Sequence, residues 1–227
     1  GMVRAEPQEL ANPTPTLQDC MDWGMKLVPV SRGEYREKHL PFFKAWLRDQ
    51  FGNPWIIPEG AGDALGTMGC QGLITSEDLE RPWSAVVVSA GTGATAAGMA
   101  LGLRGLSHLF VGSALKGVDM GSLIQGHLDS ALIDSSWASE IMEEVTPWHD
   151  VHQGGFGKIP SNVGAFMGQF QTETGIELDG VYTAKTMLKL QTVLQTPSAQ
   201  RPEQFDRGSR VLFVHTGGIQ GNRSREF

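Results

Sequence analysis

The sequence predicts an α/β fold with a largely parallel sheet, and three observations predict it. Apolar runs of strand length alternate along the chain with stretches of helical periodicity. The run 84–89 (SAVVVS) is β-branched and apolar without alternation, as expected of a strand covered on both faces in a parallel sheet. Glycine is abundant, 29 of 227 residues, and scattered among the apolar runs, which suits a protein with many tight strand-to-helix turns.

The elements follow in order. Residues 25–30 (MKLVPV) form a short β-rich strand. The segment 32–50 places Tyr35, Leu40, Phe43, Trp46 and Leu47 at roughly helical spacing among alternating charges, which predicts one solvated helix with an apolar face. Gly52-Asn53-Pro54 ends it, and 55–57 reads as a second strand. After a turn at 59–62, residues 64–73 read as helical. The strand at 84–89 runs into a helix at 93–103, where Ala94, Ala96, Ala97 and Gly98 permit close packing on the sheet. A strand is expected at 109–111 and helices at 120–133, 161–173 and 183–194. The segment 210–215 (RVLFVH) reads as the last buried strand, closed by Thr216-Gly217-Gly218, and 220–227 as a frayed polar tail.

Composition narrows the partners. Hydrophobic residues make up 40% and charged residues 19%, the balance of a folded chain rather than a disordered one. The net charge is −7 and no Lys/Arg run appears, so nucleic acid is not an expected partner and small molecules are. Cys20 and Cys70 lie far apart and read as two reduced cysteines of a cytoplasmic protein. No apolar run approaches membrane-spanning length, and the polar, proline-rich 3–15 does not read as a secretory leader.

The stretch 84–98 (SAVVVSAGTGATAAG) is the most informative: a buried strand, a glycine-rich turn, then a helix. The first N–H groups of a helix have no internal partner, and the helix dipole adds partial positive charge there. Such a turn binds phosphate. Three readings of the loop stand. Gly91-Thr92-Gly93-Ala94-Thr95-Ala96 fits the dinucleotide pattern GxGxxA, but the acidic residue expected at the end of the next strand is missing from 110–115 (FVGSAL). The second reading is a cup for a cofactor with a single phosphate, and the third a tight turn that serves helix packing.

Four stretches, taken together in this order and spacing, are 57–66 (IPEGAGDALG), 89–98 (SAGTGATAAG), 181–187 (VYTAKTM) and 214–218 (VHTGG). They resemble the family of 1-aminocyclopropane-1-carboxylate deaminase and D-cysteine desulfhydrase, within the tryptophan-synthase-β-like, fold-type II pyridoxal-phosphate enzymes. The resemblance implies a two-domain α/β fold with parallel sheets. It implies pyridoxal phosphate as cofactor, a small amino acid as substrate and a homodimer as assembly. It assigns the cofactor phosphate to Gly91, Thr92, Gly93, Ala94 and Thr95. It gives Tyr182 a catalytic place beside substrate and ring, and sets Thr183 and Thr216 near the pyridine nitrogen, with Gly217 and Gly218 close to the ring. Thr183 also opens a helix and is a natural N-cap. Deaminases of the family carry glutamate at that position and desulfhydrases threonine. A neutral hydroxyl there favours a weaker electron sink, which suits β-elimination from an amino acid with a good leaving group.

The chain departs from the family in one large respect. The lysine that forms the Schiff base with the cofactor, in a Ser-Gly-Asn-Lys context, and the Gln-Ser-Asn stretch that follows it are absent from this sequence. Lys185 lies in the Tyr182 motif, where the family has a lysine of another role, and Lys158 follows a glycine-rich stretch as a solvated loop residue. The family's Glu-Gly-Gly-Ser-Asn turn is Glu59-Gly60-Ala61-Gly62-Asp63 here, and a glycine of the tyrosine motif is Ala184. The expectation is an N-terminally truncated member, inactive in this form. Residues 1–57 would be a remnant of the small domain and 58–227 the large cofactor-binding domain. The alternative is a non-catalytic remnant that binds a phosphorylated ligand or a partner protein. His149-Asp150-Val151-His152 sits in strand or loop surroundings, where residues three apart face opposite ways, so no metal site is expected.

Overall fold

The β-branched run forms an inner strand of a four-stranded parallel sheet whose strands lie in the order 145–148, 108–113, 85–90 and 211–214. These strands are β3 (Ala85–Ala90), β4 (His108–Ser113), β5 (Val145–Trp148) and β6 (Val211–Val214). Every residue of β3 is buried, because strands lie on both sides of it and helices on both faces. The register sets Val86 opposite Leu109 on one side and Leu212 on the other. Successive side chains of a strand alternate faces. Val86 and Val88 accordingly enter one apolar cluster, and Ala85 and Val87 enter another with Phe110, Trp148 and Phe205.

A computed structural model describes residues 1–224, and the chain divides into two compact units. One holds Gly1–Ile57 with residues 220–224, and the other holds Pro58–Ile219. In the larger unit the sheet is joined by α4 (Ala64–Gln71), α5 (Ser76–Glu80), α6 (Ala94–Leu103), α7 (Met120–Ala131), α8 (Ser135–Glu143), α9 (Ser161–Thr174) and α10 (Thr183–Gln195). Helix α6 is buried all round and follows β3 directly. Its glycine at 98 meets α4 so closely that a β-carbon there would lie 2.2 Å from the Thr67 carbonyl oxygen. The small residues of α6 therefore serve a helix–helix seam as well as the sheet. Met99, Ile124 and Leu128 pack with Val86 and Val88 beneath α6 and α7. Each such side chain stabilises the fold by roughly 1.5–3 kcal/mol when fully buried.

The smaller unit contains β1 (Met2–Arg4), α1 (Pro15–Asp22), β2 (Val28–Val30), α2 (Arg32–Arg36) and α3 (Pro41–Gln50), with β1 and β2 paired in parallel. Ser31 and Glu34 form a reciprocal cap at the start of α2. Arg223, in the 3₁₀ turn Ile219–Ser224, pairs with Asp19 of α1 and holds that carboxyl below its ordinary range through the hydrogen bond first.

Several elements differ from the sequence expectations. The single helix over 32–50 is two helices. Pro41 starts the second, where its missing N–H is harmless, and the chain before it is extended at Leu40. Residues 55–57 form no strand, and Trp55 and Ile57 are 78% and 73% exposed. Strand β6 is half-buried rather than buried, because within the described residues it pairs with β3 alone. Residues 219–224 form a 3₁₀ turn in place of a frayed tail, and the end of that expected tail, 225–227, lies outside the described residues. Strands β1 and β5 and helices α1, α5 and α8 have no counterpart in the sequence expectations.

Candidate functional site

The carboxyl ends of the four parallel strands point the same way, and the glycine loop lies there between β3 and α6. In open parallel sheets this edge is where ligands bind. Gly93 has φ +89°, in the left-handed region that a β-carbon disfavours, and stands at the N-cap of α6. Helix α6 begins with no side-chain cap, whereas Asp119 caps α7 and Asp134 caps α8. Among the described residues no backbone carbonyl accepts from the amides of Thr92, Gly93, Ala94 or Thr95. Uncommitted amides at a helix start, aligned with its dipole, favour an anion. Gly93 and Ala94 are buried, while Gly91, Thr92 and Thr95 keep accessible surface.

Two neighbours shape this turn. The Thr92 side chain lies over the turn at Gly60, where a β-carbon would come 2.6 Å from the Thr92 hydroxyl. His127 of α7 reaches the loop from behind. Its Nε2 is 2.9 Å from the Thr92 carbonyl oxygen, and since a carbonyl only accepts, Nε2 carries the hydrogen. Nothing in the sequence pattern marks His127, which reads as one more position of an amphipathic helix.

Tyr182 stands at the start of α10 with its ring against Gly91. A β-carbon at 91 would lie 3.1 Å from the ring. Phe156 meets the same ring edge-on, with centroids 5.8 Å apart. Burial first, then the negative charges of Asp179 and Glu59, push the Tyr182 phenol above its ordinary value of 10.0, so at neutral pH it holds its proton.

Asp179 is the polar centre of this corner, and the sequence reading missed it. It is buried, and one carboxylate oxygen accepts from the amides of Val181 (2.9 Å) and Tyr182 (2.8 Å). The other accepts from the Thr183 amide (2.8 Å) and the Thr183 hydroxyl (2.7 Å). Capping of α10 thus belongs to Asp179. Thr183 is fully buried, and its hydroxyl donates to Asp179 and accepts from the Asp179 amide (2.8 Å). Gly218 lies against the Asp179 carboxyl, which places the 216–218 turn beside it. Thr216 is exposed. Gly217 is half-buried and donates its amide to His215 Nδ1 (3.1 Å), while His215 Nε2 donates to the Glu177 carbonyl (2.9 Å).

Lys185 is buried, and its ammonium donates to the carbonyls of His152 (2.9 Å) and Gly155 (3.1 Å). Lys158 is exposed. The 149–152 segment is a turn, and His152 Nδ1 accepts from the Gly154 amide (3.1 Å). Among the described residues no group of three or more His, Cys, Asp or Glu side chains is placed to hold a metal ion, and no helix is long and apolar enough to cross a membrane.

The structure therefore brings Gly91 to Thr95 and Tyr182 together, with Gly217 and Thr216 on the next turn. Thr183 belongs to the interior beneath them. The uncapped loop fits a phosphate group. Gly91 permits a tyrosine ring at its rim, Tyr182, Thr216 and Gly217 keep accessible surface, and Thr183 has none.

No family profile matches the chain. A Pyrococcus horikoshii protein provisionally named 1-aminocyclopropane-1-carboxylate deaminase is 30% identical over 179 residues, which cover 77% of this chain and 52% of that protein. The crystal structure of a homologue of that deaminase superposes with a TM-score of 0.71 at 23% identity, over 97% of this chain and 66% of the other. O-ureido-L-serine synthase superposes with a TM-score of 0.55 at 13% identity, over 92% and 64%. The chain spans about half the length of the named relative and about two-thirds of the solved ones. The sequence match over 77% of the chain and the shared α/β architecture lead to one conclusion: the chain is similar in sequence to a 1-aminocyclopropane-1-carboxylate deaminase-like protein and has the fold of a homologue of that deaminase.

Proposed function

We propose that this chain binds pyridoxal phosphate and serves a lyase or deaminase reaction on a small amino acid, on the D-cysteine desulfhydrase side of its family. The observation that carries the reading is the uncapped glycine turn opening α6 beside the Tyr182 ring, at the carboxyl end of the sheet. Pyridoxal phosphate, when bound, supplies a ring that accepts electrons from the α-carbon of an amino acid. Gly91, Thr92, Gly93, Ala94 and Thr95 hold its phosphate through their amides. Tyr182, kept neutral, would donate a hydrogen bond or a proton from its phenolic oxygen. Thr216 and Gly217 border the ring. The desulfhydrase side rests on residue identity alone, threonine at 183 where deaminases of the family carry glutamate, and not on a contact with the ring, since the Thr183 hydroxyl is held by Asp179. A small amino acid as substrate, a homodimer and a cytoplasmic location belong to the same proposal.

No lysine of this sequence stands in the Gly-Asn-Lys context that anchors the cofactor in the family, and Lys185 is committed to two carbonyls. The 227-residue chain by itself is accordingly proposed to bind the cofactor without turnover. That same observation favours a second reading, a non-catalytic binder of a phosphorylated ligand. The test is a titration of pyridoxal phosphate into the purified chain, followed by borohydride reduction, mass mapping and an assay for sulfide release from D-cysteine. Saturable binding that is tighter than that of pyridoxal, without a singly labelled lysine or sulfide, is expected. Absence of saturable binding overturns the cofactor reading. One stoichiometrically labelled lysine with sulfide release overturns the proposed inactivity. Inorganic phosphate binding as tightly as the cofactor selects the second reading.

A further inference from the structure

We propose that His127 is a positioning residue of the phosphate loop. By holding the Thr92 carbonyl from one side, it turns the Gly93 amide hydrogen to the other side, toward the bound phosphate. The inference rests on the pyridoxal-phosphate reading above. In a trans peptide the carbonyl of one residue and the N–H of the next point in opposite directions. The Nε2–H of His127, 2.9 Å from the Thr92 oxygen, therefore fixes the direction of the Gly93 donor. Glycine at 93 is free enough to let that peptide rotate, and a rotated peptide would present a carbonyl oxygen where an anion needs a hydrogen.

The imidazole itself has little freedom. A β-carbon at Gly62 would lie 3.2 Å from its Cε1, and one at Gly93 would lie 3.6 Å from its Cδ2, so the ring sits between the two glycine turns. Its helix is anchored by Met120, Ile124 and Leu128, none of which has accessible surface. A rigid core thus sets the position of the ring, and the ring sets the peptide. His127 needs no contact with the phosphate to act this way.

The experiment measures binding of pyridoxal phosphate, inorganic phosphate and pyridoxal to the full chain and to His127→Phe and His127→Gln, with a phosphorus NMR spectrum of the bound cofactor. Losing the support for one amide donor weakens phosphate binding about tenfold. His127→Phe should lose about that factor for both phosphate-bearing ligands and leave pyridoxal unchanged. His127→Gln, whose amide nitrogen reaches the same carbonyl, should restore most of it. If the phenyl ring unfolds the chain, His127→Asn, whose amide falls short, takes its place with the same expected loss. Phosphate affinity within twofold of the wild type, or equal losses for pyridoxal phosphate and pyridoxal, would overturn the role of His127 alone. A wild-type chain that binds neither phosphate-bearing ligand would overturn the cofactor reading and this inference together.

Discussion

The two ends of the four-stranded sheet are both polar, but their polar side chains hold different things. At the amino end, a side-chain network ties the strands together, and one of its members, Arg210, also donates to the Arg81 carbonyl (2.7 Å). His108 of β4 uses both ring nitrogens, Nδ1 on Glu144 (2.9 Å) and Nε2 on the Thr146 hydroxyl (2.8 Å). Trp83 donates to Asp78 (2.8 Å), and the Arg210 guanidinium lies over the Trp83 ring at 4.1 Å. At the carboxyl end, side chains hold backbone. His127 takes the Thr92 carbonyl, Asp179 takes three successive amides, Lys185 takes two carbonyls and His215 takes one. The first arrangement fastens strands together, and the second fixes the course of turns. A chain that must present its own amides to a ligand needs the second kind.

If that distinction is real, the greatest loss should come from Asp179→Ala. The change leaves three buried or half-buried amides and one hydroxyl without their acceptor, and the start of α10 without its cap. The expected cost is about 2–4 kcal/mol in denaturant unfolding, with weakened cofactor binding because Tyr182 loses its anchor. A cost below about 1 kcal/mol would mean that the corner is held by packing rather than by its carboxylate. His108→Ala should come next, at about 1–2 kcal/mol of stability. Its affinity for pyridoxal phosphate should match the wild type, since only strand fastening is lost. A change in affinity would erase the contrast between the two ends. The smallest effect concerns pH. The folded Tyr182 phenol titrates above its unfolded value of 10.0, so its contribution to stability is complete below that value and is lost as pH rises through the folded one. A difference spectrum between the wild type and Tyr182→Phe should show the phenolate step above about 10. A step at or below it would remove the buried, negatively charged surroundings assigned to this ring.

Much of the fold was legible where local chemistry and burial agree. The unbroken β-branched run and the glycine turn after it announce β3 and α6, because a strand covered on both faces tolerates no polar alternation. Strand β5 was not legible: Val145-Thr146-Pro147-Trp148 is short and carries a proline, which an edge strand tolerates and a sequence reading discounts. Trp55 and Ile57 misled in the opposite direction, because large apolar side chains also occur on surfaces. In the candidate site, the glycine loop and Tyr182 lie on the motifs that carry the resemblance. Asp179 and His127 do not stand out, because each acts on backbone groups whose direction depends on the folded turn. The Leu178-Asp179-Gly180 stretch ahead of a helix was the one available hint of Asp179.

The buried ammonium of Lys185 has a consequence for how this protein can change over evolutionary time. Its partners are main-chain oxygens at 152 and 155, which do not depend on the side chain at 152. The loop that it tethers brings Phe156 against Tyr182. A lineage can therefore exchange Phe156, and with it the character of the wall beside the tyrosine, while the loop keeps its tether to α10; Gly154, Gly155 and Gly157, at φ +92°, +140° and +76°, are the positions that resist exchange.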